Sequence, residues 1–134
     1  MSILPAGPAV NETSKKVSQG FPRDARLLKH ADFQVVYKQG RKHFSGNMMA
    51  FYRERENTAG PRVGFTVGKV LGGAVDRNRI RRRMRAAVRN HLRELARPLD
   101  LVLHPRKSVL TLKFGQLDAE IMQVFAAVQR GRGR

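Results

Sequence analysis

Residues 72–93, GGAVDRNRIRRRMRAAVRNHLR, place eight arginines between Arg77 and Arg93 and no carboxylate between Asp76 and Glu94. At about 100° per residue, a helix over this stretch gathers Ile80, Met84, Ala87, Val88, His91 and Leu95 on one arc of roughly 140°. Arg79, Arg81, Arg82, Arg83, Arg85, Arg89 and Arg93 cover most of the remainder. An apolar stripe of that width docks on a sheet, which leaves the arginine arc to water or to a polyanion. Gly72 and Gly73 interrupt the preceding element, and Asp76 sets a negative charge near the positive end of the helix dipole. A merely solvated face interleaves both signs, whereas Arg77, Arg81, Arg85, Arg89 and Arg93 repel one another by roughly 0.2–0.5 kcal/mol per pair. The guanidinium fork also matches phosphate in a bidentate way. A polyanionic partner is therefore favoured over solvent alone.

The rest of the chain agrees with that partner. Its 134 residues suit one domain with a modest core, and 27 Lys and Arg against 10 Asp and Glu give a formal charge of +17. Such a field attracts nucleic acid or an anionic membrane surface. No apolar run approaches the roughly 18 residues of a spanning helix, so a membrane-spanning protein is excluded; no membrane partner is expected. Residues 1–10 lack the basic start and apolar core of a secretory signal, and the expected compartment is the cytoplasm. The absence of cysteine excludes disulfides, thiolate zinc sites and a cysteine nucleophile.

In chain order, residues 1–23 show no period and read as a flexible N-terminal extension. A nucleic-acid-binding α/β domain is expected over 24–129, followed by a flexible basic tail over 130–134. Residues 31–39 (ADFQVVYKQ) read as a helix with Gly40 as its C-terminal cap. Phe33 and Tyr37 share one face of it, as a buried aromatic pair or as a stacking platform for unpaired bases. Residues 47–55 fit a strand with Met49 and Phe51 on one face and Met48, Ala50 and Tyr52 on the other. After a polar turn, residues 62–69 alternate, with Val63, Phe65 and Val67 opposed to Arg62, Gly64, Thr66 and Gly68. The small second face suggests a groove beside the sheet, and the two strands are expected to pair antiparallel. The arginine helix is expected to end at Pro98. Residues 99–103 read as a buried strand cut by Pro105, residues 106–113 as a loop with or without a short extended piece, and residues 116–129 as an amphipathic helix. Leu117, Ile121, Val124, Phe125 and Val128 form the inward stripe of that last helix. The order α-β-β-α-β-α describes an α+β fold, a two-layer α/β sandwich with a mostly antiparallel sheet.

Catalytic chemistry is missing from this pattern. His30, His43, His91 and His104 lack ligand spacing, and no acidic pair shares a site for a two-metal centre. Residues 64–69 miss a phosphate loop, with three residues between the glycines and Val70 where Ser or Thr would hold magnesium. No catalytic residue and no metal-ligating residue is assigned. The residues by themselves describe a nucleic-acid-binding module.

The run from Gly73 to Arg82, GAVDRNRIRR, with Arg85 after it, strongly resembles the signature of the bacterial ribonuclease P protein component. In that family an Ala-Val-x-Arg-Asn-Arg run lies on the helix after a Val-Gly-containing strand, as Val63-Gly64 stands here. The resemblance extends from about Arg26 to Phe125 and includes Asp32-Phe33-Gln34, the spacing to Phe51-Tyr52 and the apolar last helix. It implies an accessory subunit of a ribonucleoprotein endoribonuclease that removes the 5′ leader of precursor tRNA, with the chemistry carried by the RNA. Mg2+ would be bound mainly by the RNA and not tightly by the protein, and no obligate protein partner is implied. Arg77, Asn78, Arg79, Arg81, Arg82, Arg85 and Arg89 would meet the catalytic ribonuclease P RNA. Phe33, Tyr37, Tyr52, Arg62, Thr66 and Lys69 would line a cleft for the single-stranded leader. A left-handed β-α-β crossover is also implied, against the usual right-handed rule. The chain departs from the family at Val70, where a second lysine is usual, and at Gly72-Gly73, where Gly-Asn is usual. The alternative is a non-catalytic structural RNA-binding protein resembling a ribosomal protein. A DNA-binding helix-turn-helix is disfavoured because no short helix precedes the basic one.

Overall fold

A computed structural model describes residues 23–55 and 60–131 of the chain. Residues 1–22 of the expected N-terminal extension and the last three residues of the expected tail lie outside the described residues.

A single helical turn, Arg23–Ala25, leads into helix α1, His30–Gln39, followed by strands β1, Arg41–Phe44, β2, Met48–Glu54, and β3, Arg62–Phe65. Helix α2, Ala74–His91, then precedes strand β4, Leu99–Pro105, and helix α3, Phe114–Arg130. The sheet order is β1-β2-β4-β3. Two pairings are antiparallel and one, β3 with β4, is parallel. The α+β class and the mostly antiparallel sheet are as expected, with β3-α2-β4 as the parallel crossover unit.

Four details differ from the sequence reading. First, β2 and β3 do not form a hairpin, because β4 lies between them. Strand β4 carries Leu99, Leu101 and Leu103 on one face and Val102 on the other, all fully buried, and a strand covered on both faces belongs at the centre. Second, β1 (RKHF) is an additional edge strand; its charged, mostly exposed residues carry no hydrophobic period. Its one legible signal was the turn Ser45-Gly46-Asn47, closed by a 2.9 Å bond from Ser45 N to Met48 O. Third, α2 stops at His91, well before Pro98, and passes into a short 3-10 turn, Leu92–Glu94. Fourth, β4 runs through Pro105, opposite Met48, because proline costs no ladder bond at a strand terminus.

The faces of the sheet are unequal. Met48, Ala50, Tyr52, Val63, Leu99, Leu101 and Leu103 pack with α2 and α3 into the main core. Ile80, Met84, Ala87 and Val88 form the buried stripe of α2, and the five expected residues of α3 are all fully buried. Glu120 also lies in that stripe because it anchors the β1–β2 turn. It accepts bonds from Ser45 Oγ at 2.5 Å and from Asn47 N and Nδ2 at 2.7 Å each. The opposite face holds a smaller cluster of Leu27, Val36, Phe51 and Val102, which α1 covers with Phe33 and Tyr37.

Candidate nucleic-acid interface

Two surfaces carry the residues singled out by sequence. The first is the outside of α2. With Ile80, Met84, Ala87 and Val88 turned inward, Asn78, Arg79, Arg82, Arg85 and Arg89 are exposed. Asn78, Arg82, Arg85 and Arg89 recur at i, i+4, i+7 and i+11, one continuous stripe along the helix. Among the described residues, no arginine from Arg77 to Arg93 forms an ion pair; those present use Arg55, Arg62, His91 and Arg97.

Three arginines of α2 have local roles. Arg77 Nε donates to Gly72 O at 3.2 Å, tying the helix to its entry turn. Arg81 Nη1 donates to Asn78 Oδ1 at 2.9 Å. Arg83 Nε donates to Val109 O at 2.9 Å and Nη2 donates to Leu112 O, so Arg83 fastens the 107–113 loop. Arg83 thus differs from its neighbours on the arginine arc. Gly72 makes the entry turn possible: its φ of 125° lies where side chains are strained. Val70, 91% exposed, and Val75, 81% exposed, flank that turn and leave an apolar rim beside the cations.

The second surface is the α1 side of the sheet. Strand alternation puts Arg62, Gly64, Met49, Phe51, Val102 and His104 there, with Thr66 just beyond β3. The small residue Gly64 does not open a groove, as its sequence context suggested. It admits the Phe33 ring: a Cβ at Gly64 would lie 2.6 Å from Phe33 Cζ and 3.1 Å from Leu27 Cβ. Phe33 and Tyr37 stand edge-on with centroids 6.5 Å apart, and Tyr37 meets Phe51 at 5.2 Å. Both remain partly exposed, so each is at once a packing residue and a surface ring. Tyr37 Oη lies 2.6 Å from Thr66 Oγ1 and 3.0 Å from His104 Nε2.

Tyr52 and Arg62 fall differently from expectation. Tyr52 is 8% exposed in the main core, on the other face of the sheet from α1, with its hydroxyl end against Gly131. It is therefore not a neighbour of Phe33 and Tyr37, as its alternation with Phe51 already indicated. Arg62 is on the α1 side but engaged: Nε donates to Asp100 Oδ1 at 2.8 Å and Nη2 to Asp100 Oδ2 at 2.7 Å. Hydrogen bonding to Asp100 raises the Arg62 pKa against the opposing effect of burial. Lys69 is exposed in the turn Lys69–Leu71, since β3 ends at Phe65. His104, set aside on sequence for want of ligand spacing, is central to this face. Burial lowers its pKa, which favours the neutral ring.

A family model described as ribonuclease P matches residues 21–129. The ribonuclease P protein component of Finegoldia magna is 35% identical over 103 residues, which cover 76% of this chain and 88% of that protein. That of a Streptococcus pneumoniae strain is 31% identical over 102 residues, covering 76% and 82% respectively. The solved structure of the Staphylococcus aureus RNase P protein superposes with a TM-score of 0.69 at 26% identity, over 78% of this chain and 95% of that one. The Thermotoga maritima RNase P protein gives the same TM-score at 22% identity over 81% and 98%, a likeness of fold. With a matching family model over four-fifths of its length and relatives of this identity, the chain belongs to the ribonuclease P protein family, the protein subunit of that endoribonuclease.

Proposed function

We propose that this protein binds the catalytic RNA of ribonuclease P along the outer face of α2 and the single-stranded 5′ leader of precursor tRNA on the sheet face beside α1. In this role it assists endonucleolytic removal of the leader. The observation that carries the reading is the stripe of exposed arginines on α2, with no carboxylate of the described residues paired to them. A helix that concentrates like charge loses intrahelical stability and recovers it against a phosphate backbone.

Phe33 and Tyr37 supply ring surface for unpaired bases, and Lys69 supplies an uncommitted cation near the end of β3. Arg62 and Thr66 support this face through Asp100 and Tyr37, and Tyr52 has no part in it. The RNA would hold the Mg2+ that serves hydrolysis. Among the described residues no three His, Asp or Glu converge as ligands, and Arg62 occupies both Asp32 and Asp100.

Reconstitution tests the reading. The purified chain, added to a bacterial ribonuclease P RNA at low magnesium, should accelerate cleavage of precursor tRNA over RNA alone, with protein alone inactive. No acceleration would leave a structural RNA-binding protein.

A further inference from the structure

The hydroxyl of Tyr37 has two partners, both on the sheet side: Thr66 Oγ1 at 2.6 Å and His104 Nε2 at 3.0 Å. A phenol owns one proton, so the three groups form a directional chain with two proton orders. In one order Thr66 donates to Tyr37, Tyr37 donates to His104 Nε2, and the imidazole proton sits on Nδ1. In the other order His104 Nε2–H donates to Tyr37, Tyr37 donates to Thr66, and Nδ1 offers a lone pair. Neither order separates charge.

The ring is held in place by aromatic neighbours, with centroids 4.9 Å from Phe51 and 5.4 Å from Tyr37. His104 is partly exposed. Its Nδ1 has no hydrogen bond within the described residues and is not one of their buried unpartnered atoms. It is a fixed polar atom at the surface, set beside the rings of Phe51 and Tyr37.

We propose that His104 contacts an unpaired base of single-stranded RNA through Nδ1, and that the Tyr37–Thr66 chain lets this nitrogen donate or accept according to the base edge it meets. The proposal rests on the reading that this face receives the precursor leader. Unpaired bases are recognised by aromatic stacking and by hydrogen bonds to their exposed edges. A partner that reverses its polarity at no cost in charge holds each of the four bases, so the contact adds affinity without choosing a sequence.

The test uses the full chain with ribonuclease P RNA and measures binding of mature tRNA and of precursor tRNAs carrying A, C, G or U leaders. His104→Phe keeps a ring and removes both nitrogens. It should weaken leader-bearing precursors by about 3- to 10-fold, the effect of removing one hydrogen bond, and leave mature tRNA unaffected. Thr66→Val leaves the Tyr37 proton only His104 as acceptor and fixes Nδ1 as a donor, so affinities across the four leaders should spread by about 3-fold more than in wild type. Equal losses for precursor and mature tRNA in His104→Phe, or an unchanged spread in Thr66→Val, would overturn the proposal. If His104→Phe does not fold, the 15N signals of His104 in the wild-type chain decide. A shifted Nδ1 resonance on adding single-stranded leader RNA supports the contact, and an unmoved one overturns it. Wild-type protein that binds precursor and mature tRNA equally would instead remove the leader reading itself.

Discussion

Arg62 meets Asp100 through two parallel hydrogen bonds of 2.8 and 2.7 Å, while its remaining nitrogen, Nη1, stands 3.4 Å from Asp32 on α1. Arg55 Nε lies 3.1 Å from the same Asp100, whose side chain is 5% exposed. One buried carboxylate on the central strand thus gathers two guanidinium groups, and the outer one reaches across to the helix that covers this face.

Removing one partner of a buried ion pair leaves the other desolvated and unpaired. Asp100→Asn should cost about 3 kcal/mol of stability. Asp32→Asn breaks only the longer, partly exposed contact and should cost less than about 1 kcal/mol. Urea unfolding of the two variants checks the contrast; similar midpoints would show that Asp100 is not the hub.

The contact between Phe33 and Gly64 gives a second expectation. Gly64→Ala puts a methyl 2.6 Å from Phe33 Cζ, so α1 must shift, at a cost of about 1–3 kcal/mol in thermal or urea unfolding. Phe33→Ala should reduce affinity for leader-bearing tRNA more than for mature tRNA, with a stacking loss of about 1–3 kcal/mol. Equal losses for the two RNAs would make Phe33 a packing residue only.

His91 predicts a pH dependence. Its Nδ1 lies 2.6 Å from Glu94 Oε2 and its Nε2 2.8 Å from Asp118 Oδ2, joining the end of α2 to α3. Burial lowers the His91 pKa, but the bonds to Glu94 and Asp118 outweigh it and the net shift is upward. Burial raises the Asp118 pKa, and its bonds with Asn90 and His91 outweigh that and lower it. A raised histidine pKa gives stability that is complete below the unfolded value of about 6.5 and is lost as pH rises through the folded value. The Asp118 contribution runs the other way, present above about pH 4 and lost on acidification through its lowered folded value. The wild-type Tm should therefore fall between about pH 6 and pH 9 relative to His91→Gln. Parallel pH profiles for the two proteins would contradict this clasp.

The arginine helix was legible because its two signals, an apolar stripe at helical spacing and one-signed charge elsewhere, agree over five turns. The last helix was legible from its apolar stripe, down to each of its five buried apolar residues, though not Glu120. What failed were relationships between distant segments. The polar stretch before Pro61 looks like a hairpin turn, and nothing local shows that β4 inserts between β2 and β3. Strand β1 is specified by its pairing with β2 and by Glu120 of α3, 73 residues from Asn47. Within the interface, Tyr52 could have been set aside from alternation alone, since Phe51 and Tyr52 point to opposite faces of one strand. The engagement of Arg62 by Asp100 and the place of His104 depend on the register of β4 against β3 and β2, which no window of sequence contains.

The central claim is that the outer stripe of α2 meets phosphate, and the salt dependence of RNA binding measures that meeting. Arg82, Arg85 and Arg89 are exposed and make no ion pair among the described residues, so replacing all three with Ala should leave the fold intact. The slope of log K against log salt for ribonuclease P RNA should become shallower by about 2–3, at roughly 0.7–0.9 for each phosphate no longer neutralised. Arg83→Ala, which frees the 107–113 loop, should instead lower stability by about 1–3 kcal/mol with little change in slope. A triple variant that binds the RNA with the wild-type slope would contradict the claim.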